Sequence, residues 1–282
     1  MQFIQLKRRE FISVLAGAAA WPVAARGQQS GMPVIGFLNG QSPGPFAHLL
    51  AGFHRGLNEA GFVEGRNVAI EYRWGEGRAD RVPALAAELV QRKVDVIVAT
   101  GGAHNAVKAA TSSIPIVCTI GGDPVKSGLV ASINRPGGNL TGASVLSSEM
   151  EGKRLELLRE LVPTATLIGL LVDPSFEATA DQISLIEAAA GEKGWHIRIF
   201  PVTSDSEIQA AFSSLNELRA GAVVIAANPF LNSRRSLVVG HAAHYAIPDI
   251  YEFREAAEAG GLISYGPSIP DIYRQVGVYT AK

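Results

Sequence analysis

An apolar strand followed by an amphipathic helix, repeated along most of the chain, leaves few folds open. Residues 34–38 form a continuous apolar run, and Phe46, Leu49, Leu50, Phe53 and Leu57 then recur at helical spacing until Gly61 ends the pattern. Val68, Ile70, Tyr72 and Trp74 alternate as a second strand. Val82, Leu85, Ala86, Leu89 and Val90 mark the next helix. Residues 94–99 and 114–120 read as two more strands, with a short helix over 103–110 between them. After residues 141–148 the plan restarts, with a charged helix over 149–161 and a strand over 167–171. Strands that alternate with helices in this way build parallel sheets covered by helices.

The two halves repeat one another. "VIGFL" at residues 34–38 matches "LIGLL" at residues 167–171, an offset of 133 residues (34 to 167). The helix-ending glycines Gly61 and Gly194 share that offset, as do Pro115 and Pro248, each preceded by isoleucine at the start of a strand. The third strands (94–99 and 222–226) slip by a few residues, which marks a local insertion. The expected fold is α/β: two similar Rossmann-like lobes with parallel sheets and a ligand cleft between them. Residues 28–143 plus 266–282 make the first lobe and 144–265 the second. The crossovers fall at 141–144 and 264–267, where small residues and glycine suit a hinge.

Ligands of such sheets bind outside the carboxyl ends of the strands. Six loops qualify: 39–44, 100–103 and 121–124 in the first lobe, and 173–178, 228–230 and 251–254 in the second. The residues expected to meet a ligand are Asn39, Gln41, Ser42, Thr100, Gly101, Gly102, Gly122 and Asp123 in the first lobe and Ser144 at the crossover. Those of the second are Asp173, Asn228, Phe230, Tyr251 and Tyr265. The glycines serve either tight turns or close approach of a ligand to the backbone. Asp123 and Asp173 suit a ligand ammonium, and plain turn chemistry equally well. Phe230, Tyr251, Phe253 and Tyr265 fit an aromatic-lined pocket or core packing, and Trp74 is a candidate further wall.

Residues 40–44, "GQSPG", spell the G-x-S-x-G elbow of many hydrolases. An elbow serine needs the backbone N–H of the following residue for its oxyanion hole, and Pro43 has none. None of the six histidines lies in a second-lobe cleft loop. The residues fit a helix start better, with Ser42 at Ncap and Pro43 at N1. A helix N-terminus in a cleft suits a carboxylate. Ser42→Ala should then weaken ligand binding by about 0.5–3 kcal/mol, with no turnover to lose. A serine hydrolase using Ser42 and a ligand-sensing domain are the alternatives. No phosphate-binding fingerprint is present. His241 and His244 lack carboxylate or cysteine neighbours at ligand spacing, so neither cofactor nor metal is expected.

Lys7, Arg8 and Arg9 precede an uncharged run over residues 11–25, shorter than the roughly 20 residues that span a bilayer. This reads as an export signal cut after Ala25 or Gly27, so that residues 1–27 are lost. "RREFI" fits the twin-arginine route, an ordinary secretory signal being the alternative. Removing residues 1–27 takes four basic and one acidic residue from 25 and 26, leaving 21 and 25 and a net charge of −4. That balance argues against nucleic acid as a partner. Cys118 is the one cysteine, so no internal disulfide forms, and its apolar neighbours predict a buried thiol.

Long segments also resemble a known family. "RREFISVLAGAAAWPVAARGQQ", "GLNEAGFVEGRNVAIEYRWGEGRADRVPALAAELV", "GGDPVKSGLVASINRPGGNLTG" and "NSRRSLVVGHAAHYAIPDIYEFREAAEAGGLISYG" are similar to ABC transporter substrate-binding proteins. The similarity is to the branch related to tryptophan- and tyrosine-binding transport proteins. The resemblance implies a type I periplasmic-binding-protein fold and capture of a small organic solute, an amino acid or similar. It further implies a periplasmic, monomeric protein that delivers its ligand to a membrane permease and its ATPase. Family members usually run on for some tens of residues beyond the position of Lys282, a tail expected to close the edge of the first lobe.

Overall fold

A computed structural model of the chain describes residues 31–145, 150–191 and 194–282. The export-signal reading of residues 1–27 lies outside the described residues. Among the described residues no helix is long and apolar enough to cross a membrane.

The first sheet contains β1 (Val34–Asn39), β2 (Ala69–Trp74), β3 (Val96–Thr100), β4 (Ile116–Ile120) and β5 (Leu140–Ser144), all parallel, in the order β2-β1-β3-β4-β5. The second contains β6 (Leu167–Val172), β7 (His196–Pro201), β8 (Ala222–Ile225), β9 (Asp249–Tyr251) and β10 (Ile263–Ser264), also parallel, in the order β10-β9-β8-β6-β7. Counted from β6, that is the order of the first sheet again. The internal repeat is therefore a repeat of topology, and the expected two-lobed α/β fold is the observed one.

Helices cover both faces, which is why the central strands are apolar throughout rather than alternating. Phe37 of β1 packs with Phe46, Leu49 and Phe53 of α1 (Pro43–Glu59). Leu38, the next residue, packs with Val82, Ala86 and Leu89 of α2 (Val82–Gln91) on the other face. The short α3 (His104–Ala110) follows β3. In the second lobe, α4 (Glu151–Leu161) and α5 (Thr179–Gly191) lie with Leu170 on one face. On the other face, α6 (Asp205–Glu217) and α8 (Arg235–His244) lie with Leu171, and α7 (Pro229–Ser233) precedes α8. The small α9 (Arg254–Glu258) connects β9 to β10.

The chain crosses between lobes twice. Ser144, expected to open the second lobe, is instead the last residue of β5, where it pairs with Ile120 in the first sheet. After β10, helix α10 (Ile269–Thr280) returns to the first lobe and packs its Ile269, Ile272, Tyr273 and Val276 into that core. The crossing of α1 and α10 is backbone against backbone. A Cβ added at Gly56 would run into the carbonyl oxygen of Arg274, and one at Gly277 into that of Phe53. Cys118 is fully buried in β4, its Sγ 3.4 Å from the Thr141 carbonyl, and burial pushes its thiol up to about 12.

Candidate functional site

The loops after β1, β3, β4, β6, β8 and β9 converge between the lobes, at the carboxyl ends of both sheets, where open parallel sheets form their ligand crevices. They enclose two connected spaces. The inner chamber, on the crossover side, has aromatic walls: Phe46 of α1, Phe176 after β6, Phe253 after β9 and Tyr273 of α10. Its carboxylate is Glu252, which is 7% exposed. The outer mouth is polar and is lined by Gln41, Asn105, Asp173, Ser175, Glu177 and Thr203. Gly101, Gly102, His104, Phe176 and Pro229 line both. Gly101 (φ 59°) and Gly102 (φ 88°) adopt left-handed backbone that disfavours side chains, so main chain borders both spaces there.

Polar contacts cross the cleft. His104 Nε2 lies 2.7 Å from Glu177 Oε1, and Asn105 donates to the same carboxylate. Lys126 meets Asp181 at 2.7 Å, and Arg235 donates to the Pro45 carbonyl at 3.3 Å. The hydrogen bond from His104 holds the Glu177 carboxyl below its ordinary value of 4.5, against the opposing effect of burial. A depressed carboxylate contributes stability that is present above its unfolded value and lost as pH falls through the folded value. The cross-cleft tie should therefore weaken only below pH 4.5. Thermal melts of the protein and of Glu177→Gln between about pH 6 and about pH 3 should converge at the acid end.

The expected site residues separate into three groups. Gln41, Gly101, Gly102, Asp173, Asn228 and Phe230 line the inner chamber or the mouth. Asn39 and Thr100 are fully buried beneath it: Asn39 Nδ2 donates to Thr100 Oγ1 at 2.9 Å, and Asn39 Oδ1 accepts from the Gln41 N–H at 2.7 Å. They brace the floor. The rest stand elsewhere. Asp123 caps its own turn, accepting from the N–H groups of Val125 and Lys126, and borders a rim space with Gly122. Ser144 donates to the Gly122 carbonyl. Tyr251 packs into the second-lobe core and donates to Asp249, and Tyr265 is 42% exposed and lines neither space. Trp74 packs against Phe37 with ring centroids 5.8 Å apart, away from both spaces.

Ser42 does stand at the N-cap position of α1 with Pro43 following, but its hydroxyl makes no capping bond. It lines neither space, and no histidine is hydrogen-bonded to it among the described residues. Ser42→Ala should accordingly change ligand affinity by less than about 0.5 kcal/mol, as for a substitution away from the contacts. Calorimetric titration of both forms checks this. The residues that reading the sequence missed are Phe46, His104, Phe176, Glu252 and Tyr273. His104 directly follows a named loop, and Phe176 and Glu252 fall inside two others. Tyr273 had no signal, because only the return of α10 brings it to the site.

A buried polar network fixes the second-lobe wall. Glu151 and Arg154 of α4 are both fully buried and paired at 2.8 Å. Glu151 Oε1 also accepts from the Ala227 N–H at 3.0 Å, and Gln182 Nε2 donates to the Ala227 carbonyl at 2.7 Å. Arg154 donates onward to the Tyr265 carbonyl at 3.0 Å. Both backbone groups of Ala227, just before Asn228, are thus clamped, and the same network reaches the returning crossover.

The sequence model of the ABC transporter substrate binding protein family matches residues 34–282. A tyrosine-binding protein of Clostridioides difficile (strain R20291) is 32% identical over 167 residues, which is 58% of this chain and 47% of that protein. The chain thus matches about half the length of that curated relative. Among solved structures, an ABC domain from Streptococcus pneumonia in complex with L-Trp superposes with a TM-score of 0.79 at 24% identity, over 89% of this chain and 84% of that one. A ligand-free, open substrate-binding protein with adhesive properties from Clostridium difficile superposes with a TM-score of 0.57 at 25% identity, over 88% and 82%.

Proposed function

We propose, starting from the fact that the chain belongs to the ABC transporter substrate-binding protein family, that it captures an aromatic amino acid or a close analogue by closing its two lobes around it. The observation that carries this reading is the aromatic chamber walled by both lobes and tied shut by His104, Asn105 and Glu177. Aromatic walls remove the apolar body of such a solute from water, which is worth roughly 25 cal/mol per Å² buried. The relatives named for tyrosine and found with L-Trp support the same ligand class. The better superposition on the L-Trp complex than on the open, ligand-free relative supports a closed arrangement of the lobes.

In this reading the protein is exported, acts as a monomer in the periplasm, and delivers its ligand to a membrane permease driven by an ATPase. It performs no chemistry on the ligand. Thermal melts with a panel of amino acids test the binding. A true ligand at 100 times its Kd should raise stability by about 2.7 kcal/mol, whereas serine or alanine should do nothing measurable. No stabilisation by any aromatic amino acid would count against the reading.

A further inference from the structure

The mouth is lined by buried side chains with polar atoms that no described residue satisfies, and these atoms are acceptors. Gln41, 8% exposed, has an unpartnered Oε1, and His104, 3% exposed, has an unpartnered Nδ1. With Nε2–H directed at Glu177, the neutral imidazole offers Nδ1 as an acceptor. Asp173 gives Oδ1 to the N–H and hydroxyl of Ser175, at 2.9 and 2.6 Å, and its Oδ2 accepts nothing among the described residues. The loops that carry Gln41 and Asp173 are held in place. The Gln41 N–H donates to Asn39 Oδ1, its carbonyl accepts from the Glu76 N–H, and the Asp173 carbonyl accepts from the Phe176 N–H. Gln41 and His104 come from the first lobe and Asp173 from the second, so one cation between them touches both.

The charge at the mouth points the same way. Its ionisable side chains are Asp173, Glu177 and His104, which leaves the mouth negative whether the imidazole is neutral or protonated. Among the described residues no lysine or arginine lines the mouth or the inner chamber. Arg234 stands at the rim near Gly77, committed to Ser233 and Asp205 and lying over Phe230. A bound ammonium therefore meets carboxylate and neutral acceptors, whereas a bound carboxylate meets like charge and no cationic side chain.

We infer that Asp173, Gln41 and His104 form an ammonium subsite, that the carboxylate of an amino acid has no charged counterpart, and that aromatic amines lacking a carboxylate are therefore ligands as well. This rests on the proposed capture of an aromatic solute and adds which of its two charges is recognised. An analogue without the amine leaves the buried acceptors desolvated and unpaired, and a site of that kind rejects it.

The test is calorimetric titration with two matched series, L-tryptophan, tryptamine and indole-3-propionate, and L-tyrosine, tyramine and 3-(4-hydroxyphenyl)propionate. In each, the second compound lacks the carboxylate and the third lacks the amine. Wherever the amino acid binds, the amine should bind too, at least about tenfold more tightly than the acid. Asp173→Asn keeps an acceptor for Ser175, removes the charge and should shrink that preference. Gln41→Leu should do the same and serves as the second variant should the first misfold. The inference fails if the acid binds within about tenfold of the amine, or if the amine does not bind where the amino acid does. It fails too if the folded variants keep the full preference, since the amine is then held elsewhere. Should no aromatic amino acid or amine bind the wild type, the proposed function itself falls, an outcome visible before any variant is made.

Discussion

Arg154→Met should lower the unfolding free energy by about 3–5 kcal/mol, read as a fall in the urea midpoint. The side chain is fully buried, and its removal leaves the Glu151 carboxylate uncompensated inside the protein. Methionine replaces most of the lost volume, so a cavity is not the main term. Desolvation of the orphaned charge is. Replacing both partners, as Glu151→Leu with Arg154→Met, should recover part of the loss, since an apolar pair of similar volume is often tolerated. Recovery will be incomplete, because Glu151 also satisfies the Ala227 N–H, and an unpaired buried donor costs about 1–3 kcal/mol. The double-mutant cycle separates these contributions. Ligand affinity should fall as well, because the clamp on Ala227 shapes the chamber wall.

Gly56→Ala should destabilise the protein even though helix propensity alone favours alanine by about 1 kcal/mol. The opposing effect is steric. The new Cβ would meet the backbone carbonyl of Arg274 in α10, and a backbone obstacle cannot swing aside as a flexible side chain can. Overpacking of this kind costs typically about 1–3 kcal/mol, and Gly56→Val should exceed that range by prising α10 from α1. Gly44, at the start of the same helix, has nothing within 4 Å of its would-be Cβ, so Gly44→Ala serves as the control and should be neutral or mildly stabilising. Because α10 carries Tyr273 and Ile269 into the inner chamber, Gly56→Val should also weaken ligand binding.

The fold was legible because its signal is periodic. The apolar runs that become β1 and β6, and the helix stops at Gly61 and Gly194, are set by local sequence and recur at one offset. The loops of the site were legible by the rule for parallel sheets, and Gln41, Gly101, Gly102, Asp173, Asn228 and Phe230 follow from it. Individual side-chain roles were less so. Whether an asparagine at a strand end faces ligand or floor depends on one turn of backbone, and Asn39 turns to Thr100 while Asn228 lines the chamber. Asp123 and Asp173 share the same turn chemistry, and only their position relative to the opposite lobe separates them. His104 and Tyr273 gain their roles from long-range contacts, to Glu177 across the cleft and to Asn39 beneath it, which no local pattern encodes.

On binding an aromatic amino acid the two lobes should draw together. Spin labels on Ala109→Cys in the first lobe and Gln209→Cys in the second, both exposed positions, report the separation directly. Cys118 will not compete for label, since it is buried and its thiol is pushed up to about 12. Added L-tyrosine or L-tryptophan should shorten and narrow the distance distribution of the ligand-stripped protein. A distribution unchanged at saturating concentrations of both would contradict the account.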